Sequence, residues 1–431
     1  MTKSRINGIV LRLTALSFLE FAIWGAYLTS MGIYLFKVGL GDKIGWFFAM
    51  QGIASIFMPA TIGIIADRWI AAQKMLSLCH LVAAAAMGVI GYAGMTKGAD
   101  ITFTDLFVPY MLSTMFFMPT IALSNSVSYS VLGERDKDVV KVFPRIRVFG
   151  TVGFIASMWL IDLLGYKDSY NQFFASAAWG VILSLYSLTL PACPPIKSKE
   201  KRGFLARLGL DAFKCFAQKR LTTFFLFAML LGCALQISNG FTSVYLSSFA
   251  GEACYAGTFA VEHPIIMTSL SQISETLCIL MIPFFLGRFG IKRVMTTAML
   301  AWAVRFALLA MGNPGNGAWL FILSMLLYGV AFDFFNIAGS LFVNKATNKE
   351  IRSSAQGLFM LVTNGLGASI GMIAAQNIVD YSLAHGGWQT AWYIFAAYAT
   401  TIAILFTLFF HEERERVINN KSKNNGRIIC S

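Results

Sequence analysis

LLYGVAFDFFNIAGSLFV, Leu326 to Val343, is apolar at almost every position, yet Asp333 stands near its centre and Asn336 follows three residues on. A helix that crosses a bilayer needs roughly 20 mostly apolar residues. A carboxyl at that depth costs about 2.5–3.5 kcal/mol on insertion scales, and such groups face a partner or a watery cavity rather than acyl chains. The run therefore reads as one helix of a many-helix membrane protein with a polar interior.

The rest of the chain agrees. Of 431 residues, 57% are hydrophobic and only 13% charged, with a mean hydropathy of +0.66, against about 25% charged in soluble domains. About twelve long apolar stretches lie near 8–34, 44–66, 75–95, 104–132, 146–165, 170–191, 221–248, 264–286, 293–312, 317–343, 353–379 and 387–410. Within lipid the backbone must satisfy its own hydrogen bonds, so these segments are expected to be helices. They are far too long for barrel strands of about 9–11 residues. The first stretch is too long for a signal peptide and lacks a small-residue cleavage site, so it is read as a retained helix. The expected fold is an all-α membrane protein of twelve transmembrane helices.

The net charge of +13 raises the possibility of a nucleic-acid partner, but its distribution argues against one. With both termini placed inside, 29 of the 34 Lys and Arg residues fall on inner segments, Lys37, Lys43, Lys97 and Lys167 on outer loops, and Arg305 within a helix. Positive residues stay on the cytoplasmic side, so the basic charge is an orientation signal. The seven cysteines lack CxxC spacing and the four histidines are scattered, so neither a disulfide nor a metal site is expected.

The longest inner connection, 192–220, divides the chain into an N-terminal six-helix part (1–191) and a C-terminal six-helix part (221–411), followed by a tail (412–431). Within it, Phe204, Leu205, Leu208, Ala212, Phe213 and Phe216 recur at helical spacing against Arg207, Asp211, Lys214 and Lys219. That pattern predicts an amphipathic helix on the inner membrane face, with a flexible linker as the alternative. The two parts share punctuation: Pro59 and Gly63 in the second stretch match Pro283 and Gly287 in the eighth, each ahead of a short basic turn. The fifth and eleventh stretches are glycine-rich (Gly150, Gly153; Gly365, Gly367, Gly371), which permits close helix approach. Repeated halves suit a carrier with a midplane site.

Polar residues at membrane depth are few and informative. Tyr328, Phe332 and Asn336 share a face of the tenth stretch, with Asp333 at its border. That face joins aromatic plates to hydrogen-bonding groups, and Asp333 is a candidate proton carrier; the alternative is a fastener paired with Arg305. Gln272 and Glu275 lie one turn apart in the eighth stretch, and Gln51 holds the position of Glu275 in the second. Gln236 and Asn239, also one turn apart, supply amide donors and acceptors suited to a polyhydroxyl or nucleobase ligand, or to gluing helices together. Arg147, Thr151 and Phe154 step along one face of the fifth stretch, although Arg147 also reads as a cytoplasmic anchor. Glu20 and Trp24 share a face of the first stretch, and Asn364 opens a polar break in the eleventh. No phosphate-binding GxxxxGK[ST] loop and no nucleophile–base–acid set is present, so the chain is not read as an enzyme.

The segment Gly63-Ile-Ile-Ala-Asp67-Arg68 resembles the loop signature of the major facilitator superfamily, G-x-x-x-D-[RK], although its second half is replaced by WIAAQK. More specifically, SFLEFAIWGAYLTSMGIYL, GIASIFMPATIGIIADRW, RIRVFGTVGFI, LLGCALQISN, SQISETLCILMIPFFLGRFGIK, RFALLA, YGVAFDFFNIAGS and SAQGLFMLVTNGLG resemble the bacterial nucleoside:proton symporters of that superfamily. The resemblance covers nearly the whole chain, except the central loop, the loop around 250–262 and the tail. It implies uptake of purine and pyrimidine nucleosides driven by a proton gradient, without a cofactor, by a monomer in the bacterial inner membrane. It places the family's binding positions on Arg147, Thr151, Phe154, Gln236, Asn239, Gln272, Glu275, Tyr328, Phe332, Asp333 and Asn364, with Asp333 or Glu275 linked to the proton. Gly63, Asp67, Arg68 and Arg305 would be gating or structural positions. One departure from the family pattern stands out: a glutamine is expected where this chain has Glu20. A third acid could add a proton site, change the pH dependence or pair with a helix-borne cation. Two other readings remain open here: a proton-linked sugar carrier and a receptor without turnover.

Overall fold

The computed structural model describes residues 3–135, 138–194, 215–348 and 351–410. Among the described residues the regular structure is helical, with no strand. The first part of the chain contains α1 (Lys3–Gly25), α2 (Met31–Lys37), α3 (Ile44–Arg68), α4 (Ala72–Lys97), α5 (Phe103–Gly133), α6 (Val139–Leu163) and α7 (Asn171–Thr189). The second contains α8 (Lys219–Ser248), α9 (Phe259–Glu262), α10 (Pro264–Met311), α11 (Ala318–Ala346), α12 (Arg352–Met360), α13 (Ala368–His385) and α14 (Gly387–Phe409). Eleven helices among the described residues are long and apolar enough to cross a membrane. Their outward residues are apolar too: Leu280, Phe57, Leu185 and Phe409 are largely exposed, as expected of surfaces solvated by lipid.

Three departures from the expected segments have physical causes. The first stretch does not form one helix. It breaks at residues 26–30, where Tyr27 N–H bonds to Trp24 O and Ser30 N–H to Tyr27 O in tightened three-residue steps. The Ser30 hydroxyl there donates to the buried Gln172 amide oxygen (2.8 Å). The eighth and ninth stretches run together as α10, whose 48 residues are about twice what a crossing needs. α10 bends sharply at Gly290, where φ of 77° leaves helical space; a residue without a Cβ adopts that conformation freely. The polar break at Asn364 is a π-helical segment, Leu361–Gly367, between α12 and α13. Such bulges release backbone groups from the regular ladder and recur at functional sites. The predicted amphipathic helix in 192–220, apart from its ends, and the 412–431 tail lie outside the described residues.

Glycine sets how closely several helices approach. A Cβ on Gly153 of α6 would stand 2.1 Å from Phe18 O of α1, and one on Gly25 would stand 2.4 Å from Phe154 O. α1 and α6 therefore cross in backbone contact. The π segment is seated likewise: a Cβ on Gly367 would meet Met229 O of α8 at 2.2 Å, and one on Gly365 would meet Ile56 of α3 at 2.5 Å. Gly63 and Gly287, paired by the repeat pattern, have open space around them.

Candidate functional site

α10 and α11 pack against each other along much of their length and bring their polar residues together. Tyr328 and Phe332 stack, with ring centroids 5.7 Å apart and planes 23° from parallel. Asp333 follows on the same helix, 4% exposed, and its Oδ2 atom has no hydrogen-bond partner. Glu275 of α10 lies within electrostatic range of Asp333, and Gln272 lies one turn before Glu275 on the same helix. Across the chain division, Arg147 of α6 lies within electrostatic range of Glu275. Its guanidinium carbon sits 3.9 Å over the Phe21 ring. Arg147 is thus a partly buried cation, stacked on Phe21 and within electrostatic range of an acid of the second part. Phe154 adds an apolar edge beside Trp24, with centroids 6.3 Å apart at 87°; Thr151, one turn before it, is partly buried.

On α8, Asn239 Nδ2 donates to Gln236 Oε1 (3.1 Å), so the two amides form a pair that orients both. Asn364, on the π segment, has a buried Oδ1 atom with no partner. Asn336, by contrast, donates to Phe332 O of its own helix (3.1 Å). Buried polar atoms are rarely left unpaired, so Asp333 Oδ2 and Asn364 Oδ1 mark places where a polar ligand would find acceptors.

Arg305 is not the partner of Asp333. Its Nη2 donates to Ser238 Oγ (2.7 Å) and its Nη1 to Ser324 O (2.7 Å) and Ser271 Oγ (3.3 Å). Its guanidinium carbon lies 5.0 Å over the Tyr328 ring. The fastener alternative for Asp333 thus gives way to a different one, in which Arg305 ties α8, α10 and α11 together beneath Tyr328. Glu20 lies elsewhere, bonded to His80 and Thr120 within the first part. Arg68 is exposed, and the Asp67 side chain lies outside the described residues.

Hydrogen bonds between the two parts gather at one end of the molecule. Asp162 of α6 accepts from the backbone N–H groups of Ile265 and Ile266 at the start of α10, and Trp159 Nε1 donates to Ser269 Oγ (2.8 Å). Gln376 of α13 accepts from Gly45 N–H (2.7 Å) and donates to Gly41 O (3.1 Å). Ser243 donates to Thr29 O, and Lys167 to Glu262 O. Sequence reading missed this seam. Its signal was an acid in the last turn of an apolar helix, Asp162 in MWLIDLLG.

Membrane-length helices with charged and amide groups gathered between two parts of one chain define a many-span membrane carrier. The comparisons with known proteins agree: residues 7–415 match the family model described as nucleoside H+ symporter, and the chain belongs to that family. It is 46% identical to the xanthosine permease of Escherichia coli (strain K12) over 94% of this chain and 96% of that protein. It is 44% identical to the nucleoside permease NupG of the same strain, over 95% and 98% respectively. The crystal structure of nucleoside transporter NupG superposes with a TM-score of 0.86 at 43% identity, covering 94% of this chain and all of that one.

Proposed function

We infer that this chain is a secondary active transporter that imports nucleosides together with protons by alternating access. Counting the two arms of α10 on either side of Gly290 as separate crossings gives twelve spans, six in each part of the chain, in the major facilitator arrangement. The basic residues of the inner segments orient both termini to the cytoplasm of a bacterial inner membrane. The end held by Asp162 then faces outward, so the molecule is closed on that side. It acts as a monomer and requires no cofactor beyond the proton gradient.

The observation that carries the reading is the grouping of Glu275, Asp333 and Arg147 across the two parts, beside the Tyr328–Phe332 stack. Aromatic plates take the base, the amides of Gln236, Asn239 and Asn364 read its edge, and Gln272 with the acids holds ribose hydroxyls. Asp333 or Glu275 carries the proton. Protonation of one acid lets its charge change as the halves rock, while Arg147 keeps its own.

Uptake of labelled uridine and adenosine into proteoliposomes, with and without an inward proton gradient, tests the reading. Gradient-dependent accumulation that unlabelled nucleosides inhibit and free sugars leave unchanged is expected. Inhibition by sugars alone would transfer the chain to the sugar carriers, and indifference to the gradient would remove proton coupling.

A further inference from the structure

Within the first part of the chain, outside the set of candidate binding residues, two titratable side chains are sealed together. Glu20 of α1 is 1% exposed and His80 of α4 is 0% exposed. Glu20 Oε2 lies 3.0 Å from His80 Nε2, and Glu20 Oε1 lies 2.6 Å from Thr120 Oγ1 of α5. The Thr120 hydroxyl stands equally close, 2.6 Å, to Phe117 O. That chain of three oxygens has a place for two protons, while an ionised Glu20 leaves only the single hydroxyl proton to share. Thr120 Oγ1 donates to Glu20 Oε1; a proton taken up there would reverse that bond and leave Thr120 to donate to Phe117 O. On the other side, Nε2–H donation to the carboxylate leaves the lone pair on His80 Nδ1, which is buried and has no partner.

His80 also lines a small cavity, on the order of one water in size, together with Tyr27, Ser113, Phe117 and Ser176. The Tyr27 hydroxyl is buried and unpartnered as well. The other groups bearing on the pair are few. Cys79 of α4 and Arg147 of α6 lie within electrostatic range of Glu20. From α5, Tyr110 packs edge-on against Tyr27, and α7 lines the cavity with Ser176 and Gly180, of which Ser176 brings a hydroxyl. Arg147 feels both Glu20 and Glu275, so the charge on the pair reaches the site between the two parts.

We propose that Glu20 and His80 form a second proton-binding site, buried in the first part of the chain, whose occupancy sets the pH dependence of transport. The pair accepts one proton from water, at Glu20 Oε1 or His80 Nδ1, and gives it back by the reverse step; no other bond changes. Arg147 transmits the change in charge to Glu275.

The full-length protein in lipid nanodiscs tests this. It has only four histidines, so 15N-histidine labelling gives a sparse spectrum in which the His80 signals are those lost in His80→Gln. In the otherwise unaltered protein these signals are expected to change with pH, and Glu20→Gln is expected to alter that response. A His80 signal that does not change with pH overturns the proposal, and so does a pH response indifferent to Glu20→Gln. In proteoliposomes, the ratio of uridine uptake at about pH 5.5 to that at about pH 7.5, taken within each variant, is expected to fall about threefold or more in Glu20→Gln and in His80→Gln. Uptake scaled down equally at every pH, as a merely structural pair would give, overturns it. Only this second arm rests on proton-coupled uptake. Wild-type uptake indifferent to pH would sink that reading, while the histidine titration reports on the pair itself.

Discussion

The Asp162 carboxylate, in the last turn of α6, accepts the backbone N–H of Ile266 at 2.9 Å and that of Ile265 at 3.1 Å. An acid from one part of the chain thereby caps the first turn of a long helix in the other. Charge-assisted bonds to a helix N-terminus are among the stronger polar contacts, and this one has to break whenever the seam opens. Asp162→Ala removes both bonds, each worth about 1.5–3 kcal/mol to a charged group. Spin labels placed at the seam ends of α6 and α10 should show the separated population rising by about tenfold or more. An unchanged distance distribution would mean that the seam is held elsewhere.

Packing gives a second expectation. Gly153→Ala places a methyl against Phe18 O, where a Cβ would stand only 2.1 Å away. Neither backbone can yield without moving α1 from α6, so the substitution is expected to cost about 1–3 kcal/mol and to lower the melting temperature in detergent. Gly63→Ala and Gly287→Ala meet nothing within 4 Å and should melt with the wild type. Equal melting of all three variants would contradict the close crossing.

Arg305 supplies a third. It is fully buried, and among the described residues no carboxylate lies within ion-pair distance of it; serine hydroxyls, a carbonyl and the Tyr328 ring hold it instead. Lysine keeps the charge but loses the planar fork. Arg305→Lys is expected to lose about 2–4 kcal/mol of stability and to weaken uridine binding, because Tyr328 loses the group beneath it. Calorimetry and equilibrium binding on the same preparation check both. Wild-type values in both would remove Arg305 from the support of the site.

The membrane fold was legible because lipid solvation writes itself into long apolar runs, and their ends match the helices within a few residues along most of the chain. The first run misled, because hydropathy does not register the Ser30–Gln172 bond that accompanies the break at 26–30. The run through α10 misled in the opposite way: Arg288, Lys292 and Arg293 suggested a loop, while the chain turns at Gly290 and stays helical on both sides. Candidates for the site could be named wherever a polar group was costly at its depth, as for Asp333, Glu275 and Gln236. The partners were not. Nothing in the spacing says that Arg305 serves serines rather than Asp333, or that Glu20 meets His80, sixty residues away. Those pairings follow from which helices pack together.

On the proposed mechanism Asp333 of α11 or Glu275 of α10 moves a proton with the cargo, and Asp333→Asn separates the two. The most direct measurement is accumulation of labelled uridine against its gradient in proteoliposomes energised by an inward proton gradient, comparing wild type with Asp333→Asn. Asparagine keeps the shape but cannot take up and release the proton, so the wild type should concentrate uridine while the variant does not rise above equilibration. Wild-type accumulation by Asp333→Asn would contradict the assignment of the proton to Asp333 and leave Glu275 as the acid to test.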